Sequence, residues 1–184
     1  MSACDNGVAP RKRSFAPVVD QATRLLILGS LPGEQSLAAQ RYYAHPRNQF
    51  WRLVGDVIGK DLPAMAYDDR LATLLRHGIG LWDVVGEASR KGSLDAHIRD
   101  HRTNDLAALA QSLPDLRAVA FNGGTSARIG GALLAPVEQH YALVALPSSS
   151  PAYTLPLADK QQSWSVLRQW AGQSRTDAGD SHFD

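Results

Sequence analysis

Four largely apolar runs constrain the fold of this chain more than any other feature. They cover residues 24–29, 78–84, 116–122 and 141–146. Helical patterns lie between and after these runs, at residues 48–58, 68–76, 104–113, 125–134 and 157–170. Strands that are apolar without alternation are buried on both faces, and strands separated by helices pair in parallel. The sequence therefore predicts an α/β fold, a three-layer α/β/α sandwich with a central, mostly parallel four-stranded sheet.

The length of the chain indicates one domain. Its 184 residues, of which 44% are hydrophobic, can bury one core of ordinary size. Residues 1–20 include the basic triplet 11–13, and residues 172–184 are rich in Gly, Ser, Asp and Thr. We expect both segments to be flexible and to flank a single domain at residues 21–171.

Composition excludes several classes of site. The only cysteine, Cys4, leaves no partner for a disulfide and rules out an intrinsic iron–sulfur cluster or a multi-cysteine zinc site. Because no group of histidines and carboxylates has metal-ligand spacing, we expect no metal and no cofactor. No apolar run approaches the roughly 20 residues of a membrane helix, and the N-terminus lacks the apolar core of a secretory signal, so we expect a cytoplasmic protein. The formal net charge of +1 neither requires nor excludes nucleic acid as a partner.

A dense group of polar and aromatic residues follows the first predicted strand. The strand ends in a turn, Gly-Ser-Leu-Pro-Gly at residues 29–33, and the segment Tyr-Ala-His-Pro-Arg-Asn-Gln-Phe-Trp follows at 43–51. Open α/β sheets bind ligands at the carboxyl ends of their strands. We therefore expect the functional site at this edge of the sheet.

Three segments together resemble the uracil-DNA glycosylase superfamily. They are the turn at 29–33, the segment at 43–51 and Leu-Pro-Ser-Ser-Ser-Pro at 146–151. The second segment is similar to that of the mismatch-specific uracil glycosylases, and the resemblance spans residues 24–170. It implies a DNA glycosylase of base excision repair, and we expect a monomer whose partner is DNA with a damaged or mismatched base.

Two positions depart from the superfamily pattern. Leu31 stands where relatives usually carry Asn or Asp to position the attacking water, and Leu146 stands where they carry His or Asn. The whole pattern looks most like the hypoxanthine-DNA glycosylase branch, in which the catalytic asparagine lies in the second segment. This resemblance implies Asn48 as the catalytic residue and hypoxanthine as the base removed. Excision of uracil or of a G:T/U mismatched base is one alternative, and a module that binds lesions without cleavage is another.

The residue types in the second segment suit base excision. Asn48 could position a water molecule or the sugar, although an asparagine before a helix can equally serve as its cap. Tyr43 occupies the position where the mismatch-specific relatives stack an aromatic ring on the flipped base. We expect the neighbouring Tyr42, together with Phe50 and Trp51, to pack into the core.

The resemblance places the base beside the turn, at Ser30 and Leu31, and beside two strand ends. Asp83 ends the second predicted strand and could accept a hydrogen bond from a purine N–H, cap a helix or pair with Arg90. Asn122 ends the third strand and could read the same base edge or form a turn. Four side chains are expected around one cleft: Tyr43, Asn48, Asp83 and Ser148.

DNA contacts are expected from two loops. Arg47 can bind a phosphate bidentately, whereas His45 could reach a phosphate or fix its own loop. Hydroxyls and backbone amides of a serine triplet also suit phosphate contacts. The triplet consists of Ser148, Ser149 and Ser150. Pro151 or Tyr153 could fill the gap that a flipped nucleotide leaves.

The lysines bear on the type of glycosylase. The four in the chain, Lys12, Lys60, Lys91 and Lys160, all lie outside the three segments. A Schiff-base step needs a lysine beside the reacting sugar. We therefore expect a monofunctional glycosylase that leaves an abasic site.

Overall fold

The computed structural model describes residues 11–135 and 140–172. Its strands are β1 (Arg11–Arg13), β2 (Leu25–Gly29), β3 (Ile79–Asp83), β4 (Val85–Ser89), β5 (Arg99–Thr103), β6 (Ala118–Asn122) and β7 (Ala142–Leu146). Its α-helices are α1 (Glu34–Ala39), α2 (Phe50–Ile58), α3 (Tyr67–Arg76), α4 (Leu106–Ser112), α5 (Gly124–Leu134) and α6 (Leu157–Trp164). Short 3-10 helices cover Leu62–Ala64, Asp95–His97 and Ser165–Gln169. None of the helices in these described ranges is long and apolar enough to cross a membrane.

The central sheet has four parallel strands in the order β3-β2-β6-β7. Leu25 of β2 lies beside Ile79 on one side and Ala118 on the other. The prediction of a four-stranded parallel sheet is confirmed, and each strand begins one or two residues later than its apolar run. The last helix is shorter than predicted. It was expected at residues 157–170, but α6 ends at Trp164 and the chain continues as a 3-10 helix.

Two apolar layers cover the sheet, one on each face. Leu25 and Ile27 of β2 pack with α2, α3 and α6, whereas Leu26 and Leu28 pack with α4 and α5. All four side chains are at most 1% exposed. Full burial of such a side chain stabilises a fold by about 1.5–3 kcal/mol. This double burial explains why the strand sequence shows no alternation.

A small antiparallel sheet, in the order β1-β4-β5, was not predicted. Arg11–Arg13 were expected in a flexible segment, but β1 pairs with β4, where Arg13 lies beside Glu87. Both Arg11 and Arg13 form ion pairs with Glu87, with 2.9 Å between Arg13 Nε and Glu87 Oε2. Backbone pairing and charge therefore order this part of the chain. Residues 1–10 and 173–184, with Cys4, lie outside the described residues.

Candidate active site

The carboxyl ends of β2, β3 and β6 open into a cleft of about 520 Å³. That volume is typical of a small-molecule site. The four residues expected around one cleft do line it, namely Tyr43, Asn48, Asp83 and Ser148. A fourth segment also contributes, at Ser93, Leu94 and Asp95. This fourth segment lies outside the three segments that predicted the site, so its contribution was not predicted.

Tyr43 forms part of the aromatic wall of the cleft. Its ring stacks on Phe50 with centroids 3.7 Å apart and planes 11° apart. Its hydroxyl is buried and has no hydrogen-bond partner among the described residues. Burial, and next the negative charge of Asp83, raise the pKa of Tyr43 above its ordinary value. Tyr43 also adopts a left-handed backbone conformation, with φ of 52°, which is uncommon for a residue with a side chain.

The neighbours of Tyr43 pack inward, as predicted. Phe50 is fully buried, and Trp51 and Tyr42 are each 4% exposed. The Tyr42 hydroxyl donates a hydrogen bond to the carbonyl of Ala16, 3.1 Å away. Tyr42 therefore has a structural role, although it borders the cleft together with Tyr43.

Asp83 lies on the floor of the cleft, at the end of β3. It is 3% exposed, and its Oδ2 is buried without a hydrogen-bond partner among the described residues. Burial raises the pKa of Asp83 to about 7, with Asp95 adding to the rise and Arg90 opposing it. A Cβ at Gly29 would lie 2.6 Å from Asp83 Oδ1 and 3.1 Å from the Tyr43 hydroxyl. Glycine at position 29 thus leaves room for both groups.

Arg90 is buried behind the turn at 29–33. Its side chain donates hydrogen bonds to the carbonyls of Leu31, Pro32 and Gly92, at 3.1 Å for Leu31 and 3.0 Å for Gly92. The direct Arg90–Asp83 pair that the sequence left open is not seen, because the guanidinium is directed at these carbonyls. Arg90 therefore fixes the turn and acts on Asp83 through its charge alone.

The turn residues Ser30 and Leu31 are placed differently. The Ser30 hydroxyl donates to Asp95 Oδ1 over 2.6 Å. Leu31 borders the cleft, yet it is 5% exposed and packs in the apolar layer with α4 and α5. Leu31 thus supplies an apolar wall and no polar group.

Asn48 is half-buried at the cleft and precedes α2. Its Oδ1 accepts a hydrogen bond from the backbone N–H of Phe50, 2.9 Å away. No described residue accepts a hydrogen bond from its Nδ2. The two roles left open by the sequence are therefore compatible, since the oxygen holds the start of α2 and the NH₂ group remains available to a ligand.

Asn122 and Ser149 both border the cleft and bind each other. Asn122 Nδ2 donates to Ser149 Oγ and Ser149 N donates to Asn122 Oδ1, both over 2.8 Å. Ser149 is fully buried. Its expected phosphate contact is thus corrected to an internal one. The pair ties β6 to the serine loop, and Asn122 also interacts with the Tyr43 hydroxyl, which opposes the rise in the pKa of Tyr43.

The remaining loop residues are divided between the cleft and the surface. Ser148 and Ser150 line the cleft, and Ser148 Oγ accepts a hydrogen bond from the Ser150 N–H. His45 also lines the cleft, and its Nδ1 accepts from the Arg47 N–H over 3.1 Å, which fixes the loop. Arg47 is exposed and lies outside the cleft lining.

Lys160 connects two of the cleft loops from behind. It is 1% exposed, and its Nζ donates to Gln49 Oε1 over 2.9 Å and to the Tyr153 carbonyl over 2.8 Å. Burial lowers the pKa of Lys160. The signal that could have identified it is its spacing from Leu157 and Trp164, which places it on the buried face of α6.

The rim of the cleft carries two exposed apolar side chains. Leu94 is 50% exposed and Tyr153 is 49% exposed, and both line the cleft. Val166 is the one other exposed large apolar residue in the described part of the chain. Within that part, no group of three or more His, Cys, Asp or Glu side chains could hold a metal ion.

Comparisons with known proteins give consistent matches. The sequence profile of the Uracil DNA glycosylase superfamily matches residues 16–171. The hypoxanthine DNA glycosylase of Methanosarcina acetivorans is 42% identical over 156 residues, which is 85% of this chain and 97% of that protein. The hypoxanthine DNA glycosylase of Methanosarcina barkeri is 42% identical over 154 residues, covering 84% of this chain and 96% of the relative.

A solved structure has the same fold. It is a solution NMR structure from Methanosarcina acetivorans, assigned provisionally to the uracil DNA glycosylases. The two chains are 41% identical with a TM-score of 0.78, and the match covers 87% of this chain and 98% of the other. The sequence match and the structural match therefore both cover most of this chain.

Proposed function

The chain belongs to the uracil DNA glycosylase superfamily, and we propose that it hydrolyses the N-glycosidic bond of hypoxanthine in DNA. The proposal rests on the similarity to relatives named hypoxanthine DNA glycosylase and on one structural observation. That observation is the buried Oδ2 of Asp83, which has no described partner and lies on the floor of a cleft with an aromatic wall. A flipped base can supply the missing donor.

Asp83 suits the ring N–H of a deaminated base. An ionised carboxylate only accepts hydrogen bonds. Hypoxanthine presents an N1–H there, whereas adenine presents an unprotonated N1 that would face the carboxylate as a second acceptor. A buried group left unpaired costs about 1–3 kcal/mol. In its ionised form, which predominates above about pH 7, Asp83 therefore favours the deaminated base over its parent, although uracil also carries a ring N–H.

Tyr43 would hold the base by stacking. Phe50 already covers one face of the Tyr43 ring, so the base takes the opposite face. Base–aromatic stacking contributes about 1–3 kcal/mol and accepts different bases. Stacking thus supplies affinity, and Asp83 supplies selection.

Asn48 would act on the reacting sugar or its leaving base through Nδ2. Its oxygen is directed to the backbone of α2, so the group it offers is a hydrogen-bond donor. A donor held in place before the reaction stabilises charge that develops on the departing base. No step of this account forms a bond between the sugar and the enzyme, and the product is an abasic site.

The rim of the cleft would contact the duplex. Ser148 and Ser150 present hydroxyls for phosphate oxygens, and Arg47 presents an exposed guanidinium from the loop that contains Asn48. Tyr153 is the better candidate wedge because its ring is large and 49% exposed. Extrusion of a base costs a few kcal/mol and is easiest where pairing is already weak.

A base-release assay tests the proposal. Duplexes with a single deoxyinosine, deoxyuridine, deoxyxanthosine or mismatched thymidine are incubated with the protein, and free base is measured by chromatography. We expect release of hypoxanthine, and at least a hundredfold slower release by Asn48→Ala. Gln111→Ala removes an exposed amide on α4 and serves as the control. Binding to lesion DNA without release of any base would show instead that the protein is a lesion-binding module.

A further inference from the structure

Hydrolysis at the sugar needs an acceptor for a water proton, and the described cleft lacks one at the usual position. Leu31 stands in the turn where the superfamily pattern has Asn or Asp, and it carries no polar group. Asn48 Oδ1 is directed to the Phe50 N–H. Asp83 is buried on the floor, where the base edge is expected. A further acceptor on the cleft wall is therefore required.

Asp95 occupies that place. It begins the 3-10 helix Asp95–His97 and lines the cleft. Its side chain is 37% exposed, and its Oδ1 accepts the Ser30 hydroxyl over 2.6 Å. Ser30 directly precedes Leu31, so the carboxylate lies beside the turn that has lost its own polar side chain.

We propose that Asp95 is a catalytic residue of this cleft, which binds the attacking water and takes its proton. The inference rests on the proposed function and adds the residue that the three sequence segments do not contain. Ser30 is then a positioning residue, because its hydroxyl orients the carboxylate.

The step balances without a cofactor. The water oxygen forms a bond to C1′ of the sugar, and the C1′–N9 bond breaks with its electron pair on the base. Asp95 takes the proton that the water loses, and the departing base takes a proton from solvent. The negative charge of Asp95 also stabilises the positive sugar as it develops.

The surroundings of Asp95 suit this exchange. Burial raises the pKa of Asp95, while the Ser30 hydrogen bond and then Arg90 oppose the rise. Arg90 Nη1 lies 3.9 Å from Asp95 Oδ1, and the Thr125 hydroxyl also contacts the carboxylate. Asp83 lies near enough for the charge of Asp95 to raise the pKa of Asp83. A carboxylate with a raised pKa accepts a proton more readily than an ordinary one.

Single-turnover kinetics on deoxyinosine duplex test the assignment. Asp95→Asn keeps the shape and the acceptor for Ser30 but removes the charge. We expect its rate to fall about 10²–10⁴-fold, while affinity for DNA with an uncleavable 2′-fluoro analogue of deoxyinosine stays within threefold. Asp115→Asn alters an exposed carboxylate near the opposite end of β6 and should not change the rate.

A second variant separates chemistry from folding. Asp95→Glu retains the carboxylate, so we expect it to recover at least tenfold over Asp95→Asn, whereas a purely structural role would leave both alike. A rate of Asp95→Asn within threefold of wild type would overturn the assignment while leaving the proposed function intact. If the wild type released no base from any of the four duplexes, both the function and the assignment would fall.

Discussion

Replacing Asp83 with asparagine should make the protein more stable at neutral and alkaline pH and less active. The pKa of Asp83 rises from 3.8 to about 7 because the carboxyl is buried. A tenfold change in proton affinity corresponds to about 1.4 kcal/mol. Keeping Asp83 ionised in the folded state therefore costs about 4 kcal/mol relative to the unfolded chain.

The sign of the pH dependence follows from linkage. Below pH 3.8 the carboxyl is protonated in both states, and it carries no penalty. Between pH 3.8 and about 7 the unfolded chain loses the proton while the folded protein keeps it, so the contribution of Asp83 to stability falls as pH rises. Above about pH 7 the full penalty is present. The stability of Asp83→Asn, relative to wild type, should thus increase by about 4 kcal/mol from pH 3 to pH 8.

Activity should change in the opposite direction. A hydrogen bond to a charged acceptor contributes about 1.5–3 kcal/mol and a neutral one about 1 kcal/mol. We expect kcat/KM on deoxyinosine duplex to fall about tenfold at pH 8 in Asp83→Asn. The wild-type kcat/KM should rise with pH through about 7, and this step should disappear in the variant.

Urea unfolding at a series of pH values, with the kcat/KM profile, measures both effects. Asp115→Asn is the control for loss of an exposed carboxylate. A stability difference that stays constant from pH 3 to pH 8 would show that burial does not perturb the carboxyl. If the kcat/KM of Asp83→Asn equalled that of the wild type at all pH values, Asp83 would not read the base.

Three further substitutions address the cleft and its support. Lys160→Met removes the donor to the Gln49 and Tyr153 oxygens and should destabilise the fold by about 1–3 kcal/mol in urea unfolding; an unchanged midpoint would contradict this. Tyr153→Ala should leave stability within about 0.5 kcal/mol, because the ring is exposed, but weaken lesion-DNA affinity about tenfold in fluorescence anisotropy; equal affinity would exclude the wedge. Gly29→Ala places a methyl group 2.6 Å from Asp83 Oδ1 and should abolish base release with little effect on undamaged-DNA affinity, whereas Gly131→Ala, in open space, should be neutral in both assays.

The parallel sheet could be predicted because its strands are buried on both faces. Leu25 and Leu26 point to opposite layers and are both buried, so the apolar signal is continuous. Strand β5 gave no such signal, since every residue of Arg99–Thr103 is exposed and none is aliphatic. Its strand conformation comes from pairing with β4, a contact that local sequence does not encode.

The site could be predicted as far as its residues belong to recognisable segments. Tyr43 and Asn48 lie in such a segment, and both reach the cleft. Asp95 and Arg90 come from the connection between β4 and β5, and only folding brings them beside the turn at 29–33. Ser149 belongs to a segment yet is buried, and the segment did not reveal its pairing because its partner Asn122 lies 27 positions away in sequence.

The central claim is that this cleft selects and releases a deaminated purine. Release of free base from matched duplexes that contain either one deoxyinosine or deoxyadenosine at the same position tests it most directly. The account predicts release of hypoxanthine under single-turnover conditions, no measurable release of adenine, and loss of the hypoxanthine signal in Asn48→Ala. Equal release of both bases, or release that survives Asn48→Ala unchanged, would contradict it.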